Sequence, residues 1–301
     1  MLLYRALSAL VGLPLAVVLV CSGGLWLAVP VCALVALGFG EFADKARAKN
    51  LNVIAPLGYA VSVALVVVTY ARTLPAGAFG RLSPDRYDRA LLGLLFLLVM
   101  GSLILYVFRY HRDQRAPVVA DVSATVLGAL YLGVAFSFFV LLRDFHSGET
   151  PVAIPGFAGH PQQFGARVLL LLFCATWATD TGAYFAGKNL GERTPFVRKH
   201  KLTPASPNKT WEGCVGGFVA AVLVGLAFGS WFQLPLLLAL LVGAVAGVMG
   251  QFGDLCKSIM KRDLGTKDFG SLIPGHGGVL DRFDSLMMNV PAVYLLLIAV
   301  M

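Results

Sequence analysis

Apolar runs of about 20 residues recur from one end of this sequence to the other, each long enough to cross a hydrocarbon core of about 30 Å at about 1.5 Å per residue. Inside lipid a backbone must satisfy its own N–H and C=O groups, so runs of this kind fold as helices that pack into a bundle. The charge content agrees: only 13% of the 301 residues are charged, against roughly a quarter in soluble domains. Nine spans can be drawn, at 6–22, 24–41, 51–71, 90–108, 118–142, 165–187, 211–231, 233–252 and 283–301. The expected fold is an all-α integral membrane protein, a polytopic bundle of about nine transmembrane helices. No stretch is long enough for a separate soluble domain.

The distribution of cations orients this bundle. With the N-terminus cytoplasmic, the cytoplasmic segments take all 24 Lys and Arg except Arg72, Arg81, Arg86, Arg89, Arg143 and Arg167, which obeys the positive-inside bias. The net charge of +8 is therefore read as a topology signal, and no nucleic-acid partner is expected. The five cysteines lie in or beside apolar segments without a CxxC pair, as small core residues do. Residues 1–164 are expected to be N-terminal transmembrane helices serving as scaffold and lipid groove. Residues 165–301 are expected to be a catalytic region with cytoplasmic loops at 188–210 and 254–282.

Chemistry is concentrated late in the chain. Between Asp254 and Asp284, 11 of 31 positions are Asp, Lys, Arg or His, and ionisable groups at membrane depth mark a site by default. Asp254, Lys257 and Lys261 share a face if the preceding span continues as a helix, and Asp281 and Asp284 share one at the start of the last span. Two carboxylate clusters at two helix ends suit a hard cation such as magnesium, which takes one or two carboxylates plus waters and substrate phosphates. Neighbouring Lys and Arg would bind the remaining phosphate oxygens. The turn Pro274-Gly275-His276-Gly277-Gly278 lets backbone N–H groups approach an anion closely.

A second polar patch runs from Asp180 to Glu212. Asp180 interrupts an apolar helix, which is costly unless it faces a cavity, a metal or a cation. Ser206, Lys209 and Thr210 precede a helix, where free N–H groups favour phosphate; the other basic residues of that loop would attract anionic membrane lipids. Glu41 and Asp44 are expected only to close a helix beside basic residues. Asp121 is expected to complement a helix dipole.

At this point the sequence resembles a known family. Ser258, Lys261-Arg262, Lys267-Asp268, Pro274, His276-Gly277-Gly278, Asp281-Arg282 and Asp284 follow in order and spacing the signature of the phosphatidate cytidylyltransferases, also called CDP-diacylglycerol synthases. The segment SPNKTWEG and Thr179-Asp180-Thr181 resemble two upstream segments of the same family. The resemblance implies a magnesium-dependent transfer of the cytidylyl group of CTP to phosphatidate, giving CDP-diacylglycerol and pyrophosphate for phospholipid biosynthesis. It further implies a metal site of Asp254 and Asp281, with Asp284 and Asp180 as further candidates and a second cation in the same site. Lys261, Arg262, Lys267 and Arg282 would act on the triphosphate, with Asp268 and His276 also in the catalytic set. Ser206, Lys209, Thr210, Ser258, Gly277 and Gly278 would bind substrate. A homodimer and a bacterial inner-membrane location, with the site facing the cytoplasm, complete the expectation. A polyprenol kinase using CTP, or an anion transporter, are the alternative readings.

Overall fold

The computed structural model describes residues 2–110, 117–146, 151–153, 163–190, 201–270 and 277–301. Among these residues it holds nine helices and one hairpin: α1 (Leu2–Ser22), α2 (Gly24–Ala48), α3 (Ala55–Thr73), α4 (Pro84–Tyr110), α5 (Val118–Arg143), α6 (Phe164–Leu190), β1 (Lys201–Thr203), β2 (Ser206–Thr210), α7 (Trp211–Trp231), α8 (Leu236–Asp263) and α9 (Val279–Val300). Eight of the helices are long and apolar enough to cross a membrane, and in α1 the stretch Leu10–Ser22 is a shorter apolar helix. The all-α membrane architecture is as expected. Its helices depart from the predicted spans at their charged ends, where α2 runs on to Ala48 and α8 to Asp263. Hydropathy falls where charge begins, whereas a helix stops where its backbone hydrogen bonds stop.

The chain divides into two compact units. The first comprises Met1–Leu15, Ser22–Leu141 and Leu264–Arg282. Within it α3 packs against α2 and α4, around fully buried Val35, Phe39, Val66, Leu98 and Phe136. Phe39 meets Tyr59 edge to face with ring centroids 5.0 Å apart, over Gly58, where a β-carbon would strike the Phe39 ring. Asp121 lies in the first turn of α5, as expected, but it does more than complement a dipole. Fully buried, it accepts the Asn52 N–H at 2.7 Å and the Tyr106 hydroxyl. Thr125 Oγ1 accepts the Ile54 N–H at 3.0 Å. The connection between α2 and α3 is thereby fastened to α4 and α5.

The second unit comprises Ala16–Cys21, Leu142–Asp263 and Phe283–Met301. Here α7 buries Gly213, Gly217, Ala221, Gly225 and Gly229, a row at every fourth position and hence on one face. A β-carbon on Gly217 would lie 2.8 Å from the Thr179 carbonyl oxygen of α6, and one on Gly225 2.9 Å from the Ala239 carbonyl oxygen of α8. In lipid, where apolar side chains gain nothing by leaving the solvent, such close backbone contact is what holds helices together. Two arginines close helix ends in this unit. Arg143 donates to the Val20 and Cys21 carbonyls at 3.1 and 3.2 Å, and Arg167 to the Phe232 and Gln233 carbonyls at 3.3 and 2.8 Å. Both cations meet the negative ends of helix dipoles.

Candidate active site

The segment expected to be a basic loop contains a small hairpin. β1 and β2 pair antiparallel, Lys201 opposite Thr210 and Thr203 opposite Ser206. The turn between them is tied to the end of α8, where Arg262 Nε donates to the Ala205 carbonyl at 3.2 Å. Thr210 ends β2 and caps α7, its hydroxyl oxygen accepting the Gly213 N–H at 3.1 Å. That cap is a sequence-local reason for the helix to start at Trp211. One residue earlier, Lys209 points to α8, with its Nζ 2.5 Å from Asp254 Oδ2.

Asp254 and Lys257, three positions apart on α8, share a face as the helical period requires. Lys257 Nζ is 3.0 Å from Asp254 Oδ1 and is bonded also to Asp284 of α9. The result is a continuous chain of alternating charge, Lys209–Asp254–Lys257–Asp284. The Lys257 and Asp284 side chains are only 12% and 11% exposed, so water and salt screen them little. Gly253 permits this, because the Asp284 backbone lies where its β-carbon would be. Replacing such a buried pair by apolar side chains often costs no stability, so a charged chain of this length points to a function.

Beside this chain is a cavity of about 390 Å³ lined by Asp180, Tyr184 and Lys188 of α6, Lys209 and Thr210 of β2, and Gln251 and Asp254 of α8. Gln251 Nε2 donates to the carbonyls of Cys214 at 3.0 Å and Gly247 at 2.6 Å, which fixes one wall. Asp180 is exposed to the cavity, on the helix whose close approach to α7 the glycine row allows. The structure thus brings Asp180, Lys209, Thr210 and Asp254 to one cavity and joins Asp284 to them through Lys257. Ser206 at the start of β2, and Ser258 and Lys261 on α8, are half-buried in the same unit. Lys257, which now links two carboxylates, was legible in the sequence only as a face-sharing neighbour of Asp254.

The remaining predicted residues belong to the first unit. Lys267, Asp268 and Arg282 are exposed there, and His276 lies outside the described residues. Asp281 Oδ2 accepts the N–H groups of Phe269 at 2.9 Å and Gly278 at 3.2 Å. The second of these is the reach of a carboxylate back across the first turn of a helix. Gly277 has φ of 84°, a turn conformation that glycine adopts without strain. Glu41 was expected merely to close a helix; it sits inside α2 and caps another. Its two oxygens accept the Val279 and Leu280 N–H groups at 2.9 and 3.2 Å. Together Glu41 and Asp281 satisfy three consecutive donors, Gly278 to Leu280, where α9 begins. Among the described residues no three His, Cys, Asp or Glu side chains converge as a self-sufficient metal cluster.

Comparison with known proteins places this geometry. The model of the cytidylyltransferase family matches residues 3–300. A phosphatidate cytidylyltransferase of Synechocystis sp. is 33% identical over 303 aligned residues, covering 96% of this chain and 94% of that protein. Proteins of the same name from Staphylococcus epidermidis and Bacillus subtilis are 32% and 35% identical; they cover 98% and 71% of this chain, and 98% and 68% of their own lengths. With a family match over residues 3–300 laid over a helix-built site of carboxylates and lysines, the chain belongs to the cytidylyltransferase family.

Proposed function

We infer that the chain transfers the cytidylyl group of CTP to phosphatidate, giving CDP-diacylglycerol and pyrophosphate. The observation that carries this reading is the Lys209–Asp254–Lys257–Asp284 chain beside the cavity of α6, β2 and α8. A phosphate oxygen of the lipid attacks the α-phosphorus of CTP, a new P–O bond forms, and the bond from that phosphorus to the β-phosphate oxygen breaks. The nucleophile is already anionic, so the protein needs no strong general base. It must hold two polyanions in line and offset their repulsion. Lys188 and Lys209, both on the cavity wall, are suited to the triphosphate. Lys257 holds Asp254 and Asp284 together beside them. A helix-built site at the membrane surface lets the lipid present its phosphate while its acyl chains stay in the bilayer.

Magnesium is part of this proposal. The available carboxylate oxygens are those of Asp254 and Asp284, with Asp180 on the same cavity; carboxylates of this kind suit a hard cation. Two carboxylates without a full cage suit an ion that completes its octahedron with waters and substrate phosphates. Bound there, the ion would neutralise the triphosphate. The sequence resemblance adds Asp281 to the ligands and a second cation to the site. The resemblance also supports Arg262, Lys261 and Lys267 as phosphate contacts and a homodimer as the assembly. Cation bias supports a cytoplasmic site, and the bacterial relatives support a bacterial inner membrane.

The test is pyrophosphate release by the protein in detergent with CTP, phosphatidate and magnesium, compared with Asp254→Asn and with a lipid-free control. Release that needs the lipid, stops on chelation and falls by about 10³-fold in the variant supports the reading. Well-folded wild type that releases no pyrophosphate with any lipid phosphate overturns it.

A further inference from the structure

The first unit carries a second, separate cavity of about 390 Å³, where α2 ends, α3 begins and α4 ends. Two guanidinium side chains, Arg47 and Arg109, stand on its wall, and Val53, Ile54, Pro56 and Leu105 give it an apolar lining. The α3 N-terminus that opens onto it has no side-chain cap on Ile54 and no acidic residue in its first turn. The start of a helix left in this way keeps its positive potential and favours an anion.

The wall is rigid. Tyr106 lies over the buried Asp121, which also holds the Asn52 N–H, and Thr125 holds the Ile54 N–H at 3.0 Å. Arg109 stacks over the Tyr106 ring, 5.4 Å from its centroid. Asp121 is fully buried and already accepts the Asn52 N–H and the Tyr106 hydroxyl, so the guanidinium groups are the charges an arriving anion touches. Among the described residues the Arg47 side chain is otherwise engaged by an exposed pair with Asp44 at 3.3 Å, and such a pair contributes little in water.

We propose that this cavity binds the phosphate headgroup of an anionic glycerophospholipid from the surrounding bilayer. The phosphate lies between Arg47, Arg109 and the first turn of α3, and an acyl chain runs along Val53, Ile54 and Leu105. A free phosphate ion would use the cations but not the apolar lining, and a neutral lipid would use the lining but not the cations. Only a lipid that carries a net negative phosphate uses both. The helices that form the site are themselves apolar enough to cross a membrane, so their ends lie where such headgroups are. The site is independent of the catalytic reading, since it shares no residue with the cavity of the second unit.

The test titrates the purified full chain in detergent with phosphatidylglycerol, and with phosphatidylcholine of the same acyl chains, counting retained lipids by native mass spectrometry. Wild type is compared with the double variant Arg47→Gln, Arg109→Gln and with Ile54→Asp. The second variant caps α3 while placing a negative charge in the cavity, so it tests the site with both arginines still in place. Both variants are expected to retain phosphatidylglycerol about 30-fold more weakly than wild type, with phosphatidylcholine unaffected. Equal phosphatidylglycerol retention in wild type and in either folded variant overturns the proposal. So does a parallel loss of phosphatidylcholine, or displacement of phosphatidylglycerol from wild type by inorganic phosphate down to the level of the variants.

Discussion

Lys257 is the residue on which two carboxylates depend. Lys257→Met leaves Asp254 and Asp284 facing each other with no cation between them. The expected result is a loss of stability of about 2 kcal/mol, less than for a fully buried pair because Asp254 is partly exposed. Differential scanning fluorimetry in detergent would read it as a lowered melting temperature, with magnesium restoring part of the loss. Turnover of CTP should fall by about 10²-fold. A different outcome is expected at Tyr106, whose hydroxyl serves Asp121 within the first unit. Tyr106→Phe should cost about 1–3 kcal/mol by depriving a buried carboxylate of a donor, while activity per folded molecule stays as in wild type. Much of this was legible at residue scale: Asp254 and Lys257 follow from a three-residue spacing on a helix. The capping of α9 by Glu41 was not, because a bond across 238 positions leaves no local trace in the sequence.

Among the elements, α7 is held by what it lacks. Its row of small residues lets α6 and α8 touch its backbone, so Gly217→Leu should push α6 outward and carry Asp180 with it. Loss of activity together with a melting temperature lowered by several degrees is expected, since overpacking of this kind costs about 1–3 kcal/mol. A variant with wild-type melting and turnover would contradict the close packing. The run Gly213, Gly216, Gly217 marks α7 in the sequence as a helix open to close approach, and the structure extends that face along the row from Gly213 to Gly229. The hairpin β1–β2 could not be read in the sequence. Its strands are three and five residues long, too short for an alternating pattern, and what fixes it is the distant donor on Arg262. Likewise the true ends of α2 and α8 lie in charged sequence, where hydropathy is silent and only hydrogen bonding decides.

At the scale of the whole molecule, the lipid is as much a part of the fold as the core. α4 leaves Leu92, Phe96, Ile104 and Phe108 exposed, an apolar belt that water would not tolerate. The proposed orientation rests on cation bias and can be checked directly. With the native cysteines replaced, Asp268→Cys should react with a membrane-impermeant maleimide only from the cytoplasmic side, and labelling from the opposite side would reverse the topology. The bundle and its late, polar site could be foreseen because hydropathy and charge are properties of segments. The chain of four alternating charges could not be foreseen, because it assembles β2, α8 and α9 from three separate stretches.

That alternation carries an electrical consequence. Asp180, Asp254 and Asp284 bring three negative charges, and Lys188, Lys209 and Lys257 bring three positive ones, so among these six side chains the fixed charges cancel. A neutral assembly draws neither a bare triphosphate nor a bare divalent ion from a distance. What it can accept is a pair of opposite charges delivered together, each finding its own counterpart among side chains that part to receive it. The proposed metal and the nucleotide should therefore strengthen each other's binding.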